Sequence, residues 1–474
     1  MAVIGAGMSG LLMAVKLRQA GIRDVVIFEK AADVGGTWRE NRYPGLGCDV
    51  PSHLYTYSFE PNPDWSHRFA AGPEIRAYFQ RFADKYRLRP CIRFGTEIIE
   101  AERTLQGWSV RTACGETHEV DFLVSACGVL HHPRHPEIEG LDSFAGTAFH
   151  TARWPDDLDL DGQRVGVIGT GATSIQLVPQ LQQVAAHVSV FQRTPQWVMP
   201  VRNEAYTDAQ RARLRRHPWL TELLYRGYGQ LFRFMSKAVL GNPLLLGLLA
   251  RGARKNLEQV ADPELRRKLT PDYEVGCKRL IMSADYYPAV QQPNVEVIVE
   301  PIARVTPAGV ETTDGARHAC DVLVLATGFH AHNYMRPMRL IGEGGVTIDE
   351  LWKGGPRAYR TVALPGFPNF FMLMGPHSPI GNYSLIDIAE RQAGYVMQCV
   401  ERWMTGEVNA LAPQAGATRA YNRTLERSFE GTVWLTGCQS WYLDEGGLPN
   451  VWPFPYGEFC RQMRRPQWEE FETG

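Results

Sequence analysis

Two short turns carry the residue types and spacing that could bind a pyrophosphate. Ala2-Val3-Ile4 runs into Gly5-Ala6-Gly7-Met8-Ser9-Gly10, and Gln163-Arg164-Val165-Gly166-Val167-Ile168 runs into Gly169-Thr170-Gly171-Ala172-Thr173-Ser174. In each, the first glycine permits the tight bend and the second lets a pyrophosphate approach the backbone. The third position, Gly10 or Ser174, is small enough for the next helix to pack on its strand, and the phosphate sits at that helix N-terminus. The end of the neighbouring strand separates the ligands of the two turns. The next strand after the first turn, Val25–Phe28, ends in Glu29 about 20 residues on, where a carboxylate can accept hydrogen bonds from a ribose diol. After the second turn, Val188–Phe191 ends instead in Gln192-Arg193-Thr194. An acid there would repel a ribose phosphate, whereas Arg193 can grip one bidentately and Thr194 adds a hydroxyl. The first turn suits FAD and the second NADP, with NADPH preferred to NADH.

The elements that must hold these turns repeat as well. Asp121-Phe-Leu-Val-Ser-Ala-Cys-Gly128 has a near copy in Asp321-Val-Leu-Val-Leu-Ala-Thr-Gly328, so each unit closes on the same strand and glycine turn. The expected fold is α/β: two Rossmann-like dinucleotide-binding domains with an inserted helical subdomain, the general frame of flavin oxidoreductases. The FAD-binding domain is expected over 1–140 and again over 329–474. The NADP-binding domain is expected over 156–197 and 276–328, with a linker at 141–155 and the helical subdomain at 198–275. Val34–Trp38 and Tyr43–Asp49 interleave turn formers with aromatics and can surround a flat ring. Glu74–Tyr86 reads as a helix. Leu220, Leu223, Leu224, Leu231 and Phe234 recur near turn spacing in the helical subdomain, which fits a capping module, a lid over an apolar cavity or a peripheral membrane helix. The chain is expected to return through Gly366–Phe371 and Gly375–Asn382 to a long helix reaching Trp403, whose N-terminus can stabilise negative charge.

At 474 residues the chain exceeds one core. Its net charge of −1 lacks the footprint of a nucleic-acid binder, so small-molecule partners are expected. Nine scattered cysteines without a Cys-x-x-Cys pair predict reduced thiols and a cytoplasmic setting. Met1 stands directly before the first strand, leaving no room for a signal peptide, and the longest apolar run, Leu244–Ala250, is far below the ~18 residues of a membrane span. The protein therefore reads as soluble, without an integral membrane segment. His131, His132 and His135 lie among prolines with no companion cysteine or carboxylate cluster, and no metal is expected.

Between the two turns lies Phe144-Ala-Gly146-Thr-Ala-Phe-His150-Thr-Ala-Arg-Trp154-Pro155. Its spacing, Phe-x-Gly-x-x-x-His-x-x-x-Trp-Pro, resembles the fingerprint of Baeyer-Villiger monooxygenases, class B flavoenzymes that insert oxygen beside a carbonyl. The resemblance runs from Gly5 to Pro453 and includes Gly276-Cys277-Lys278-Arg279. It implies that Gly5, Gly7, Met8, Ser9, Gly10, Glu29, Gly36, Thr37, Trp38, Asp49 and Tyr55 hold FAD. It likewise implies that Gly169, Thr170, Gly171, Ala172, Thr173, Ser174, Arg193, Thr194, Lys278, Arg279 and Trp441 hold NADPH, with Trp441 in an aromatic, cofactor-covering C-terminal section. Arg279 would be the catalytic arginine, oriented and partly neutralised by Asp49; a permanently charged guanidinium stabilises anions without giving up its proton. His150, though counted with the catalytic residues, reads as a hinge that couples the domains. The implied reaction passes hydride from NADPH to FAD, forms a flavin peroxide with dioxygen, and converts an apolar ketone to an ester or lactone. The rivals are a flavin monooxygenase acting on nitrogen or sulfur, a flavin reductase, and a redox-sensing flavoprotein. The particular ketone and the oligomeric state are not legible.

Overall fold

A computed structural model describes residues 1–380 and 383–474; Gly381 and Asn382, part of the expected return segment, lie outside the described residues. Two five-stranded parallel sheets organise the chain. In the first, the order is Phe370–Met372, Leu123–Ser125, Ala2–Ile4, Val26–Phe28, Ile92–Arg93. Val3 lies opposite both Ile27 and Val124, and the two strands Ala2–Ile4 and Leu123–Ser125 are buried throughout. Unbroken apolar strands are what a parallel sheet covered on both faces requires. Helix Met8–Gln19 covers one face and packs against the long helix Leu385–Met404.

The second sheet repeats that order: Thr147–His150, Val322–Leu325, Arg164–Ile168, His187–Phe191, Val295–Ile298. In both sheets the glycine-turn strand sits between the second strand and the closing strand. In both, the fifth strand comes from outside the repeated unit. For the second sheet that outer strand is Thr147–His150, inside the fingerprint, with His150 opposite Leu325. Each unit also carries an antiparallel meander just before its closing strand, Ile98–Val120 in the first and Ile302–Ala319 in the second.

The helical insert comprises Asp208–Arg216, Pro218–Val239, Pro243–Leu257 and Pro263–Lys268. Its starts are written in the sequence. Thr207 and Gln210 form a capping box, Asn242 accepts from the Leu245 amide, and prolines open three of the helices where a missing N–H costs nothing. One face of Pro218–Val239 is fastened to the first unit. The Tyr225 hydroxyl donates to Asp387 at 3.2 Å, the Arg233 Nε donates to the Tyr383 hydroxyl at 3.3 Å, and the Arg233 guanidinium lies 4.3 Å from the Tyr456 ring centre. Among the described residues no helix is long and apolar enough to cross a membrane.

Candidate active site

The first glycine turn is shaped by close backbone approach. A Cβ on Gly5, whose φ is +101°, would stand 2.7 Å from the Ala126 carbonyl oxygen, and one on Gly10 would stand 1.8 Å from that of Gly5. The second loop lies directly over this turn: a Cβ on Gly36 would meet the Gly7 Cα at 3.0 Å, and the Gly35 amide donates to the Ala6 carbonyl at 3.1 Å. Met8 is half-buried and Ser9 buried in the first helical turn, and Thr37 opens the short helix after Gly36. Glu29 is buried and held in place by the Ala6 and Ala31 amides at 2.8 and 2.9 Å and by Arg39 at 3.1 Å. The Trp38 indole donates to the Tyr55 hydroxyl at 3.1 Å, with the rings edge to face. A small-residue cradle at a helix start, with an anchored carboxylate at the neighbouring strand end, fits a dinucleotide.

In the second unit Gly169 has φ +113°, and a Cβ there would stand 2.4 Å from the Ala326 carbonyl oxygen. Gly171 and Ala172 are exposed at the helix start, Thr173 is half-buried, and the buried Ser174 hydroxyl has no hydrogen-bond partner among the described residues. Thr170 ties the turn to the specificity segment by donating to the Thr194 carbonyl at 2.6 Å. Arg193 is exposed and makes no ion pair among the described residues. Burial, and then the positive field of Arg193, lower the pKa of Lys278, whose ammonium lies 4.5 Å from the Tyr273 ring centre. The Asp272 carboxylate opposes that shift, and two cations whose fields overlap are a donor set that a phosphate ester fits.

Asp49 and Arg279, 230 residues apart, meet in a bidentate ion pair with Nε to Oδ2 at 2.9 Å and the second guanidinium nitrogen to Oδ1 at 2.7 Å. Both side chains are about one-fifth exposed, 20% for Asp49 and 23% for Arg279, so the pair is sheltered yet still reachable. Burial alone would lower the arginine pKa; the carboxylate of Asp49 outweighs it and keeps the guanidinium charged. Tyr442 belongs to the aromatic C-terminal section read from the sequence, but sequence reasoning gave it no place among the site residues. It is buried, and burial pushes its phenol up to about 12 despite the nearby Arg279 charge. Its neighbour Trp441, the expected cofactor contact, is 39% exposed and lies with its ring 4.7 Å from that of Tyr442. Only the aromatic pairing of the segment hinted at Tyr442.

The expectation of reduced thiols fails at two of the nine cysteines: Cys277 and Cys438 are joined by a disulfide. The two lie 161 positions apart in the chain, and no local spacing signalled the pair. The bond fastens the segment bearing Lys278 and Arg279 to the C-terminal section bearing Trp441 and Tyr442.

The fingerprint residues bind the two units mechanically. A Cβ on Gly146 would stand 2.2 Å from the Asp321 carbonyl oxygen, and Phe144 packs beside the core that contains Leu323. Trp154 is buried edge to face against Phe149, and its carbonyl, just before Pro155, accepts from Arg42 at 3.2 Å. Arg153 pairs with Glu40 at 2.6 Å. A second clamp comes from Gln176 on the second glycine helix, which accepts from the Tyr43 hydroxyl and donates to the Gly47 carbonyl, both at 2.9 Å.

His150 is buried, accepts the Ala152 amide at Nδ1 (3.1 Å) and therefore carries its proton on Nε2, which donates to the Gly328 carbonyl at 2.9 Å. It touches no candidate reacting group and clasps the strand end before the chain leaves the second unit. His150→Phe is expected to retain the flavin and to slow oxygenation severalfold, read by stopped-flow measurement of both half-reactions; normal rates in each would reduce the clasp to packing. Burial lowers the His150 pKa to about 4, and the same cause lowers His53 and His131 to about 4. The unfolded chain then binds more protons than the folded one between about pH 6.5 and 4, so stability is full above that window and falls as the pH drops through it. Thermal melting across this range checks the sign, and the slope should shrink in His150→Phe.

A surface cleft of about 620 Å³, lined by Arg360, Tyr421, Arg461 and Trp468 among others, shares no residue with either glycine turn or with the Asp49–Arg279 pair. Comparison with known proteins bears on these features. Residues 1–331 match a family described as flavin-binding monooxygenase-like. An uncharacterized monooxygenase of Mycobacterium tuberculosis is 49% identical over 471 residues, covering 99% of this chain and 95% of the relative. A Baeyer-Villiger monooxygenase of Streptomyces coelicolor is 42% identical over 478 residues, covering 100% of this chain and 92% of the relative. The crystal structure of OTEMO in complex with FAD and NADP superposes with a TM-score of 0.89 at 29% identity, covering 100% of this chain and 99% of that one.

Proposed function

The chain belongs to the flavin-binding monooxygenase-like family, and from that premise we propose that it converts an apolar ketone to an ester or lactone with FAD, NADPH and dioxygen. The Asp49–Arg279 pair carries this reading. It supplies a permanent cation in a sheltered position, reached from the first unit by Asp49 and from the second by Arg279.

The first glycine turn, with Gly36 over it and Glu29 beside it, would hold FAD by its pyrophosphate and ribose. Thr37, Trp38 and Tyr55 would line the flavin end. The second turn would hold NADPH, its 2′-phosphate between Arg193, Thr194 and Lys278. When bound, FAD reduced by NADPH would supply the two electrons that activate dioxygen, so that one oxygen atom enters beside the carbonyl and the other leaves as water. The residues of this chain do the rest. Arg279 stays charged through the cycle and stabilises negative charge developing on the former carbonyl oxygen, where a fixed donor in a water-poor site counts for most. Asp49 aims the guanidinium through both of its hydrogen bonds. Tyr442, kept protonated by burial, closes the site from the C-terminal section.

The test is a panel of cyclic and aryl ketones, with a thioether and a tertiary amine as competitors, given to flavin-loaded protein with NADPH and isotopically labelled dioxygen. One labelled oxygen in an ester or lactone is the expected product. Sulfoxide or N-oxide with no ester would assign the protein to heteroatom oxygenation, and NADPH oxidation yielding only hydrogen peroxide would refute a monooxygenase acting on these classes.

A further inference from the structure

Half of the large apolar side chains exposed among the described residues, seven of fourteen, fall within residues 219–248 of the helical insert. Trp219, Leu223, Leu231 and Phe234 follow one another at intervals of four, eight and three residues on helix Pro218–Val239. At ~3.6 residues per turn they occupy about a third of its circumference. Lys237 stands on the same face and is exposed. The opposite face is the one fastened to the first unit through Tyr225, and a Cβ on Gly229 there would stand 3.8 Å from Leu54 and 3.7 Å from the Tyr383 hydroxyl.

Across the turn at Gly241 the pattern continues. Leu244, Leu248, Arg251 and Lys255 stand at i, i+4, i+7 and i+11 of helix Pro243–Leu257, one exposed stripe that is apolar at its start and basic at its end. Leu244, at 80% exposure, is bare. Charge is concentrated in the same place. Residues 208–257 hold ten Lys and Arg against two Asp and Glu, a net +8 in a chain of net −1, which leaves −9 on the remainder. Lys237, Arg251, Arg254 and Lys255 make no ion pair among the described residues.

An apolar stripe flanked by unpaired cations is costly to leave in water and is the pattern that seats a helix in the headgroup layer of a membrane. The geometry points to the helix pair Pro218–Leu257 as a docking surface for an anionic lipid bilayer. The leucines and Trp219 meet the acyl boundary, and Lys237, Arg251 and Lys255 meet lipid phosphates. Neutral lipid alone cannot account for the charge, and the apolar stripe distinguishes the surface from a simple polyanion site.

Flotation of the full, flavin-loaded protein with vesicles tests this. Phosphatidylcholine mixed with phosphatidylglycerol should bind at least about tenfold more tightly than phosphatidylcholine alone, and added salt should erode the difference. Leu244→Ser with Leu248→Ser should weaken partitioning about tenfold, and Arg251→Gln with Lys255→Gln should remove the preference for anionic lipid. All four side chains are exposed, so both variants should melt like the parent protein. Equal partitioning of parent and variants, or no binding to the anionic vesicles, overturns the inference. So does a concentration-dependent dimer, seen by sedimentation velocity and abolished by the leucine changes, in a protein that ignores vesicles; the face would then belong to a second copy of the chain.

Discussion

Replacing Arg279 by alanine is expected to lower ester formation at least about a hundredfold while the flavin stays bound. The magnitude comes from removing a fixed charge partner in a sheltered site, about 3 kcal/mol of transition-state stabilisation. The variant also leaves Asp49 without its only ion-pair partner among the described residues, so the local field inverts from nearly neutral to negative. NADPH oxidation should slow less than ester formation, and what remains should appear as hydrogen peroxide. Arg279→Lys separates charge from geometry: an ammonium restores the cation but cannot reproduce two parallel bonds to Asp49, so only partial recovery is expected. Near-parental ester yield from Arg279→Ala would make the ion pair a structural tie between the two units and remove the basis of the assigned site.

The second large effect concerns cofactor choice. Arg193→Ala should raise the Michaelis constant for NADPH about tenfold to a hundredfold and leave that for NADH nearly unchanged, because hydrogen bonds to a charged group are worth about 1.5–3 kcal/mol. Lys278→Met should act in the same direction, since the positive field of Arg193 reaches Lys278 and, after burial, lowers its pKa. The double variant should therefore lose less than the sum of the two, as expected for groups sharing one ligand. Equal losses with both nucleotides would show that neither residue reads the phosphate.

The parts of this molecule legible in its sequence are those with local causes. A glycine turn announces itself because only a missing Cβ fits beside Ala126 or Ala326, and a strand buried on both faces announces itself as an unbroken apolar run. The fingerprint glycine is readable for the same reason, through its approach to Asp321. Contacts that depend on the assembled fold left no such trace. Cys277 and Cys438 look like two more scattered thiols until the chain has folded, and Tyr442 is one aromatic among many. Gln176 clamps the Tyr43–Gly47 loop with a side chain of ordinary helical type. The pairing of Asp49 with Arg279 was approachable only through resemblance, because nothing in either local sequence names the other.

The outer strand of each sheet has a consequence for the order in which the chain can fold. The second sheet draws all five strands from residues 147–325, its outer strand included, so it is complete as soon as that stretch has left the ribosome. The first sheet lacks its outer strand until Phe370–Met372 emerges, about 245 residues after Ser125. At ~5–20 residues per second the Leu123–Ser125 edge stands bare for some tens of seconds, the condition in which an unpaired strand recruits the wrong partner. The inner unit is thus built to mature inside an unfinished outer one. A chain truncated between residues 330 and 369 and released from the ribosome should carry a protease-resistant second unit beside a first unit that is still open.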